Sequence, residues 1–481
     1  MSAHPLPELP GVLGAGELAR SAEYLLAAQE PSGAIPWFPG GHVDVWDHVE
    51  CAMALSAVGH YEAAARAYDW LATVQYPDGS WPAKLRQGAV ANPLREANHA
   101  AYPAVGVWHH LLVTGDDAFA ERLWPTVRAG IGFVLELRTE RGEVRWARDA
   151  DGTPGDHALL TVCASIHHSL RCAAALAEYL GRPQPDWELA AARLAHLVCD
   201  HEAVFADRSR YSMDWYYPVL GGAMRGERAA ARLAERWDTF VVPDLGVRCV
   251  SDQPWVTGAE TSELVLALAA LGEHDRGAEL LASIQHLRDP DDGAYWTGYQ
   301  FVQDVRWPVE RSTWTTAAVI LAVDALCGAT PGARAFTAVP GAAERAVGVH
   351  VRHVKLEDWG AAVHAPAVRQ LHVGAAVAAC DPVEYPGPAR YGAGADQQGV
   401  EALPAPEQQA AARRQDRLHQ PALLARAYVG VSPQKSFAYR WTVACVRCRC
   451  DRRRGNRLPL QPDAAPIGSR RGSRGKGGAC R

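Results

Sequence analysis

One pattern constrains this chain more than any other: a helical segment followed by a short turn closed on glycine, repeated along its N-terminal part. Gln29-Glu-Pro-Ser-Gly33 is echoed by Gln75-Tyr-Pro-Asp-Gly79-Ser-Trp81. Arg138-Thr-Glu-Arg-Gly142 keeps the spacing without the Gln, and Gln285 leads over a longer gap to Asp292-Gly293-Ala-Tyr-Trp296. Glycine supplies the conformation that ends a helix, Asp-Gly tightens the turn, and a tryptophan can pack back over it. Self-similarity at intervals of roughly 50–70 residues signals a repeated supersecondary unit, here a helical hairpin, and argues against one irregular bundle.

Apolar periodicity predicts helices over 15–29, 47–59, 61–76, 96–114, 117–138, 158–181, 187–200, 213–223, 226–239, 257–271, 274–287 and 312–327, with hardly any alternating strand pattern. Gly59 and Gly272 follow apolar helical runs, where a left-handed cap is needed, and a new helix begins at once after each. Such short links make antiparallel neighbours. The other links, such as 30–46, 77–95 and 288–311, are long and rich in Pro, Gly and Trp. Six hairpins of this kind can close into a ring, with 47–59, 96–114, 158–181, 213–223, 257–271 and 312–327 inside. The expected fold is therefore all-α, an (α/α)6 toroid over residues 15–335, preceded by an extension over 1–14.

The string Trp70-Leu71-Ala-Thr-Val-Gln75-Tyr-Pro-Asp-Gly79-Ser-Trp81 resembles the QW repeat of the squalene cyclase and prenyltransferase toroids. It is also similar to hairpin ends in six-hairpin glycosidases of the glucoamylase-like and unsaturated-glucuronidase-like barrels. As a whole, residues 15–330 resemble a bacterial group often labelled prenyltransferase-like. The resemblance is specific for the toroid and weak for chemistry, because a fold does not imply a function.

Composition divides the chain near Thr330. Residues 1–330 carry 25 Lys and Arg against 43 Asp and Glu, a net of −18, and hold 14 of the 16 Trp. Residues 331–481 carry 23 against 11, a net of +12. An acidic, aromatic-rich body argues against nucleic acid as its ligand, since phosphate binding needs clustered cations. The segment 336–481, rich in Ala, Gly, Pro and Arg, reads as a disordered tail, although its abrupt change of composition also fits a shifted reading frame. Cys51, Cys163, Cys172, Cys199, Cys249 and Cys327 sit mostly in apolar helical stretches, as free buried cysteines do. With no apolar run long enough for a membrane span and no basic start followed by an apolar run, a cytoplasmic protein is expected.

If the long links lead into the first turns of the inner helices, they share one face of the ring. That face gathers Asp44, Trp46, Asp47, His48 and Glu50; Trp81, Arg95, Glu96, Asn98 and His99; Asp214, Trp215, Tyr216 and Tyr217; Asp252, Trp255, Glu260 and Glu263; and Trp296, Trp307, Glu310, Arg311 and Trp314. Glycosidic hydrolysis needs one carboxylic acid to protonate the leaving oxygen and a second carboxylate across from it. Glu260, Glu96, Asp47 and Asp214 are the candidate catalytic acids; Trp46, His48, His99, Trp215, Tyr216, Trp255, Glu263, Glu310 and Trp314 are the candidate substrate contacts. Asp and Glu are also favoured in the first turn of any helix, so capping competes with catalysis at Asp47 and Asp214. Trp81 and Trp296 read as packing residues of the repeat turns.

Neither metal nor cofactor is expected. His109-His110 and His167-His168 are adjacent on helices and point to different sides, and the Asp, Cys and His set of zinc prenyltransferases has no counterpart that can be placed. Asp289-Pro-Asp291-Asp292 matches the DxDD string of terpenoid cyclases but falls in a turn before Gly293. The leading reading is a carbohydrate-active hydrolase acting on a glycan or small-molecule glycoside, for which the glycosidase resemblance implies inversion. An isoprenoid enzyme and a non-catalytic sugar- or lipid-binding scaffold are the alternatives.

Overall fold

The computed structural model describes residues 4–338; the basic segment beyond, with its arginine runs and Cys445, Cys448 and Cys450, lies outside the described residues. Helices alternate between an outer and an inner layer. Outer α1 (Ala15–Ala28) precedes inner α2 (Val45–Ala57), and outer α3 (Tyr61–Thr73) precedes an inner column made of α4 (Ala97–Ala101) and α5 (Pro103–Thr114). The pattern continues with α6 (Asp117–Glu136) and α7 (Leu160–Tyr179), then α8 (Pro185–Asp200) and α9 (Ser212–Leu220). Next come α10 (Gly226–Glu235), the single turn α11 (Trp237–Phe240) and inner α12 (Gly258–Leu271), and last α13 (His274–Ser283) and α14 (Thr313–Cys327). The expected 96–114 helix breaks at Tyr102 because Pro103 has no N–H to continue the ladder.

Inner helices pack in a closed circuit: α2 on α5, α5 on α7, α7 on α9, α9 on α12, α12 on α14, and α14 back on α2. Every residue of α2 is buried, as are nearly all of α12 and α14. A helix covered on all sides must be apolar all round or satisfy its polar groups within the core. Among the described residues no single helix is long and apolar enough to cross a membrane.

The glycines of the repeat explain how the outer layer closes. Gly33, Gly79, Gly142 and Gly293 all have positive φ. A Cβ at Gly33 would overlap the Arg66 carbonyl of α3, and one at Gly79 would overlap the Ala129 carbonyl of α6. At Gly142 it would strike Arg193 of α8, and at Gly293 it would lie 2.8 Å from the Ser21 nitrogen of α1. Each turn glycine thus abuts a later outer helix, and the last returns to the first. The paired glutamines reinforce this contact. Gln29 Nε2 donates to Gly33 O (3.1 Å) and Ala63 O (2.9 Å), and Gln75 Nε2 donates to Gly79 O (2.9 Å) and Thr126 O (3.0 Å). Trp81 is buried with its Nε1 on Leu71 O at 2.9 Å, a packing residue as read from the repeat.

Because the inner helices all follow long links, those links gather on one face. They hold short strands that the sequence pattern did not reveal: β1 (Lys84–Arg86) with β2 (Ala89–Asn92), and β3 (Arg95–Glu96) with β4 (Ala147–Arg148). A five-stranded antiparallel sheet follows, in the order β5 (Val241–Val242), β6 (Gly246–Arg248), β7 (Trp255–Thr257), β8 (Gly298–Gln300), β9 (Val305–Arg306). Strands of two or three residues are too short for a period-two signal. The Asp289–Asp292 string is a turn: Asp289 and Asp292 both accept from Arg311 Nη1, at 2.9 and 2.7 Å.

At the opposite end, α14 stops at the left-handed Gly328 and the chain turns back through Pro331–Ala333 into α15 (Arg334–Thr337). Ala335 and Phe336 are buried there, and the Phe336 ring lies 6.4 Å from His109 and 5.7 Å from His168. His4, the first described residue, lies at the same end, where its Nε2 meets Val113 O at 3.0 Å. The adjacent histidines split as helical geometry requires. His109 and His168 face Phe336, whereas His110 bonds Ser56 Oγ (2.8 Å) beside Phe119, and His167 bonds Ala191 O (2.9 Å) of α8.

Two outcomes follow from this packing. Gly59 and Gly79 both have positive φ, but only Gly79 is crowded, so Gly59→Ala should cost about 1 kcal/mol and Gly79→Ala roughly 2–4 kcal/mol, read as loss of stability in denaturant melts. Equal effects would contradict the glycine contact. The second concerns His109, whose ring nitrogens have no hydrogen-bond partner and whose pKa burial lowers to about 3. The unfolded chain takes up that proton below its ordinary pKa and the folded chain does not, so His109 costs stability as pH falls below about 6.5. Relative to wild type, His109→Leu should gain on the order of 2 kcal/mol between pH 7 and pH 5. A pH-independent difference would show that the imidazole is charged or solvated.

Candidate active site

The first turns of the inner helices bring the carboxylates together. Asp44 is the N-cap of α2, and its Oδ1 accepts from Asp47 N at 3.0 Å. Capping therefore falls to Asp44, which leaves the Asp47 side chain for other work. Burial would raise the Asp44 carboxyl, but hydrogen bonds from His42 and Asp47 and the nearby His99 outweigh it and hold Asp44 well below the usual carboxylate range. Asp47 moves the other way: burial, then the charge on Asp44, push it well above that range. The two behave as an acid pair that keeps one proton, held on Asp47, because like charges in contact cannot both ionise.

Glu96, at the N-cap of α4, is buried and its carboxyl is raised by burial, with His99 opposing. His99 Nε2 stands 3.7 Å from Glu96 Oε2, while its Nδ1 and the Oδ1 of neighbouring Asn98 are buried without a hydrogen-bond partner. Asp214 sits in the first turn of α9 but bonds outside its own helix, accepting from Thr161 N (3.2 Å) and Thr161 Oγ1. Burial raises its carboxyl as well, against the Thr161 bonds and the Arg208 guanidinium. Glu260 lies in the first turn of α12, 6% exposed, with the Cys249 thiol hydrogen-bonded to its side chain. In the ring order, α12 stands opposite the α4–α5 column and α9 opposite α2, so the four acids sit at the starts of four different inner columns.

Deeper along the axis, Glu50 and Glu263 anchor a cage of aromatic donors. Glu50 Oε1 accepts from Trp46 Nε1 (2.8 Å) and Tyr102 OH (3.0 Å), and Oε2 accepts from Trp314 Nε1 (2.8 Å). Glu263 accepts from Tyr217 OH at 2.6 Å and from Tyr216 OH. Trp46 stacks on Tyr102 with centroids 4.6 Å apart and meets the edge of Tyr217 at 5.5 Å. Burial lifts Glu50 to about 7, with its three donors opposing, and burial, then the charge of Glu50, lifts Glu263 well above the usual carboxylate range. This network joins α2, the α4–α5 column, α9, α12 and α14.

Of the remaining expected contacts, Trp314 and Glu310 lie at the mouth: Glu310 accepts from Trp37 Nε1 at 2.7 Å, and Trp37 tilts against Trp314 at 5.6 Å. Trp255 is half-buried on β7 and donates to Trp307 O at 2.7 Å. Two expected contacts are not brought to the mouth. His48 accepts from Ile35 N (3.1 Å) on one ring nitrogen and donates to Ala67 O (2.9 Å) from the other, so it packs α2 against α3. Trp215 donates to Arg232 O at 2.9 Å and stacks on Phe240, which turns it toward the outer layer. The sequence reading missed Trp37, His42, Lys84, Tyr102 and Arg208. Lys84 counters the raised carboxyls of Asp47, Glu96 and Glu310, and Arg208 those of Glu96 and Asp214. All five lie in long links or at a helix break, where no periodicity assigns a facing direction.

No family model matches this chain. The curated MMP endo-(1,4)-3-O-methyl-alpha-D-mannosidase of Mycolicibacterium hassiacum is 54% identical over 334 residues, covering 69% of this chain and 92% of the relative. Among solved structures, a glycosidase in complex with glucose matches with a TM-score of 0.53 at 18% identity, over 66% of this chain and all of that one. A D-mannose isomerase matches with a TM-score of 0.53 at 11% identity, over 65% of this chain and 96% of that one. These distant likenesses establish the (α/α)6 toroid, and the mannosidase favours a carbohydrate hydrolase over the isoprenoid alternative. The chain belongs to the family of the Mycolicibacterium hassiacum mannosidase and is a glycosidase-type, carbohydrate-active enzyme.

Proposed function

We propose that this enzyme hydrolyses internal (1,4) linkages of 3-O-methyl-α-D-mannosyl chains, the activity named for its Mycolicibacterium hassiacum relative. The observation that carries the reading is identity of 54% across 92% of that relative's length. The mouth suits such a glycan. A methyl ether replaces a hydroxyl donor with an apolar group, and the Trp46, Trp314, Trp37 and Trp255 rings offer flat apolar faces beside a few polar groups.

In this reading Asp47 is the general acid and Glu260 the general base. Asp47 holds a proton because Asp44 beside it stays charged, and its carboxyl is free of capping duty. Asp47 passes the proton to the glycosidic oxygen as the bond to the anomeric carbon breaks. Glu260, from a different inner helix, takes a proton from the water that attacks that carbon from the other side, and the product anomer is inverted. Water supplies the hydroxyl of the new reducing end, and the proton taken up by Glu260 returns through solvent to restore Asp47. Glu96 with His99, and Asp214 with Thr161, flank the site as orienting groups for sugar hydroxyls. Tyr216 and Glu263 complete the floor, and Glu310 the rim.

Purified enzyme should shorten (1,4)-linked 3-O-methylmannose oligosaccharides at internal bonds, read by mass spectrometry, and proton NMR should show the β anomer first. Initial release of the α anomer would exclude the acid–base assignment, and no cleavage would exclude the activity. Asp47→Asn and Glu260→Gln should each lower kcat by about 10²–10⁴-fold with folding intact. Because Asp47 must carry its proton, kcat/KM should fall on the alkaline side as its raised carboxyl ionises, and this limb should vanish in Asp47→Asn.

A further inference from the structure

The five-stranded sheet carries a surface that the reacting groups do not use. Trp255, Gln300 and Val305 are register partners on β7, β8 and β9, so their side chains stand on one face. Trp307, two residues beyond Val305, meets the Trp255 ring edge-on with centroids 5.0 Å apart and is itself half-buried. Gly298 lies beneath them, and a Cβ there would come within 2.5 Å of Trp255 Nε1, so the bare backbone lets the indole lie against the strand. Val302, Val305 and Val309 along the same hairpin are 72%, 43% and 83% exposed. The charged residues of the hairpin are engaged elsewhere: Asp304 accepts from Tyr299 OH (2.7 Å), and Arg306 donates to His286 O (3.0 Å) beneath Trp296.

This face is continuous with the site. Strand β7 runs directly into α12, which places Glu260 three residues after Thr257. From Trp307 the chain reaches Glu310 in three residues; Glu310 holds Trp37, Trp37 leans on Trp314, and Trp314 bonds Glu50 at the axis. We infer that Trp307, Trp255, Gln300 and Val305 form a distal subsite of the glycan track, binding the part of a 3-O-methylmannosyl chain that extends beyond the cleaved bond. Each such residue presents a C–H face and a methyl group to the indole edges and the valines, while Gln300, whose Oε1 accepts from Gln303 N at 2.6 Å, has its Nε2 to donate to a remaining hydroxyl. Endo cleavage requires a chain to run past the reacting bond, and an acidic body that would repel an anionic polymer suits a neutral one.

The inference rests on the proposed activity, and the test separates the two. Using the full chain, kinetics are measured on short and long methylated oligosaccharides and on a long unmethylated (1,4)-mannan, for wild type, Trp307→Ala and Val305→Asp. Val305 is on an edge strand and exposed, so its variant should fold even where Trp307→Ala is damaged. The subsite predicts that KM for the long methylated chain rises about tenfold while kcat changes by less than about threefold, and that the advantage of methylated over unmethylated chains narrows. Wild-type cleavage with unaltered KM in Val305→Asp and in folded Trp307→Ala would overturn the subsite and leave the activity standing. If wild type cleaves none of the chains, binding of the long methylated oligosaccharide is titrated by tryptophan fluorescence: binding weakened in both variants supports the subsite without the activity, and absence of binding overturns both. A wild-type dimer in sedimentation that Val305→Asp dissociates would assign the face to self-association instead.

Discussion

Closure of the inner ring, with α14 packed back on α2, is the constraint on which the rest depends. Once the ring closes, six inner helices have no side turned to solvent, and their polar residues must find partners in one another. Burying a carboxylate without hydrogen bonds costs several kcal/mol, so such groups survive only when supplied with donors or protons. Glu50 and Glu263 answer with five ring donors drawn from four different parts of the ring. The same bonds pin the aromatic side chains, so the solution to a folding problem also sets the shape of the floor.

The outer layer closes by a different device. Backbone at a turn glycine touches backbone of another outer helix more closely than a Cβ would allow, at Gly33 and Gly79 against the following one and at Gly293 against the first. This contact fixes how far each hairpin is rotated from the one before. The rest of each long link, running from the glycine to the start of the next inner helix, is left to carry the strands, aromatic rings and acids. Loops on a rigid scaffold are where chemistry is easiest to vary.

At the mouth, electrostatics divides carboxylates that look alike in composition. Asp44 and Asp47 are one helical turn apart, yet burial is outweighed at Asp44 by hydrogen bonds from His42 and Asp47 and by the nearby His99, whereas burial and the charge of Asp44 raise Asp47. Glu96 and Asp214 are raised by burial but answered by His99, Thr161 and Arg208. Environment, not residue type, assigns the acid, as it does wherever two carboxyl groups share a site.

How much of this was legible beforehand can be read from particular residues. The repeat of Gln29-to-Gly33 and Gln75-to-Gly79 and the 3.6-residue periodicity determined twelve helices, their alternation and the toroid, because these depend on local propensity and on burial along one chain direction. The first-turn positions of Asp47, Glu96, Asp214 and Glu260 were legible for the same reason. Which way a side chain turns was not. His48 and Trp215 share those first turns and face the outer layer, since a fully buried helix has no apolar stripe to mark its inner side. Tyr102, Trp37, Lys84 and Arg208 sit at a helix break or in links without periodicity, and the five-stranded sheet is assembled from strands too short to announce themselves. The sequence thus determined the ring and its acidic mouth by itself. Only the tertiary structure decided which acid keeps a proton, because that depends on neighbours brought together from different hairpins when the ring closes.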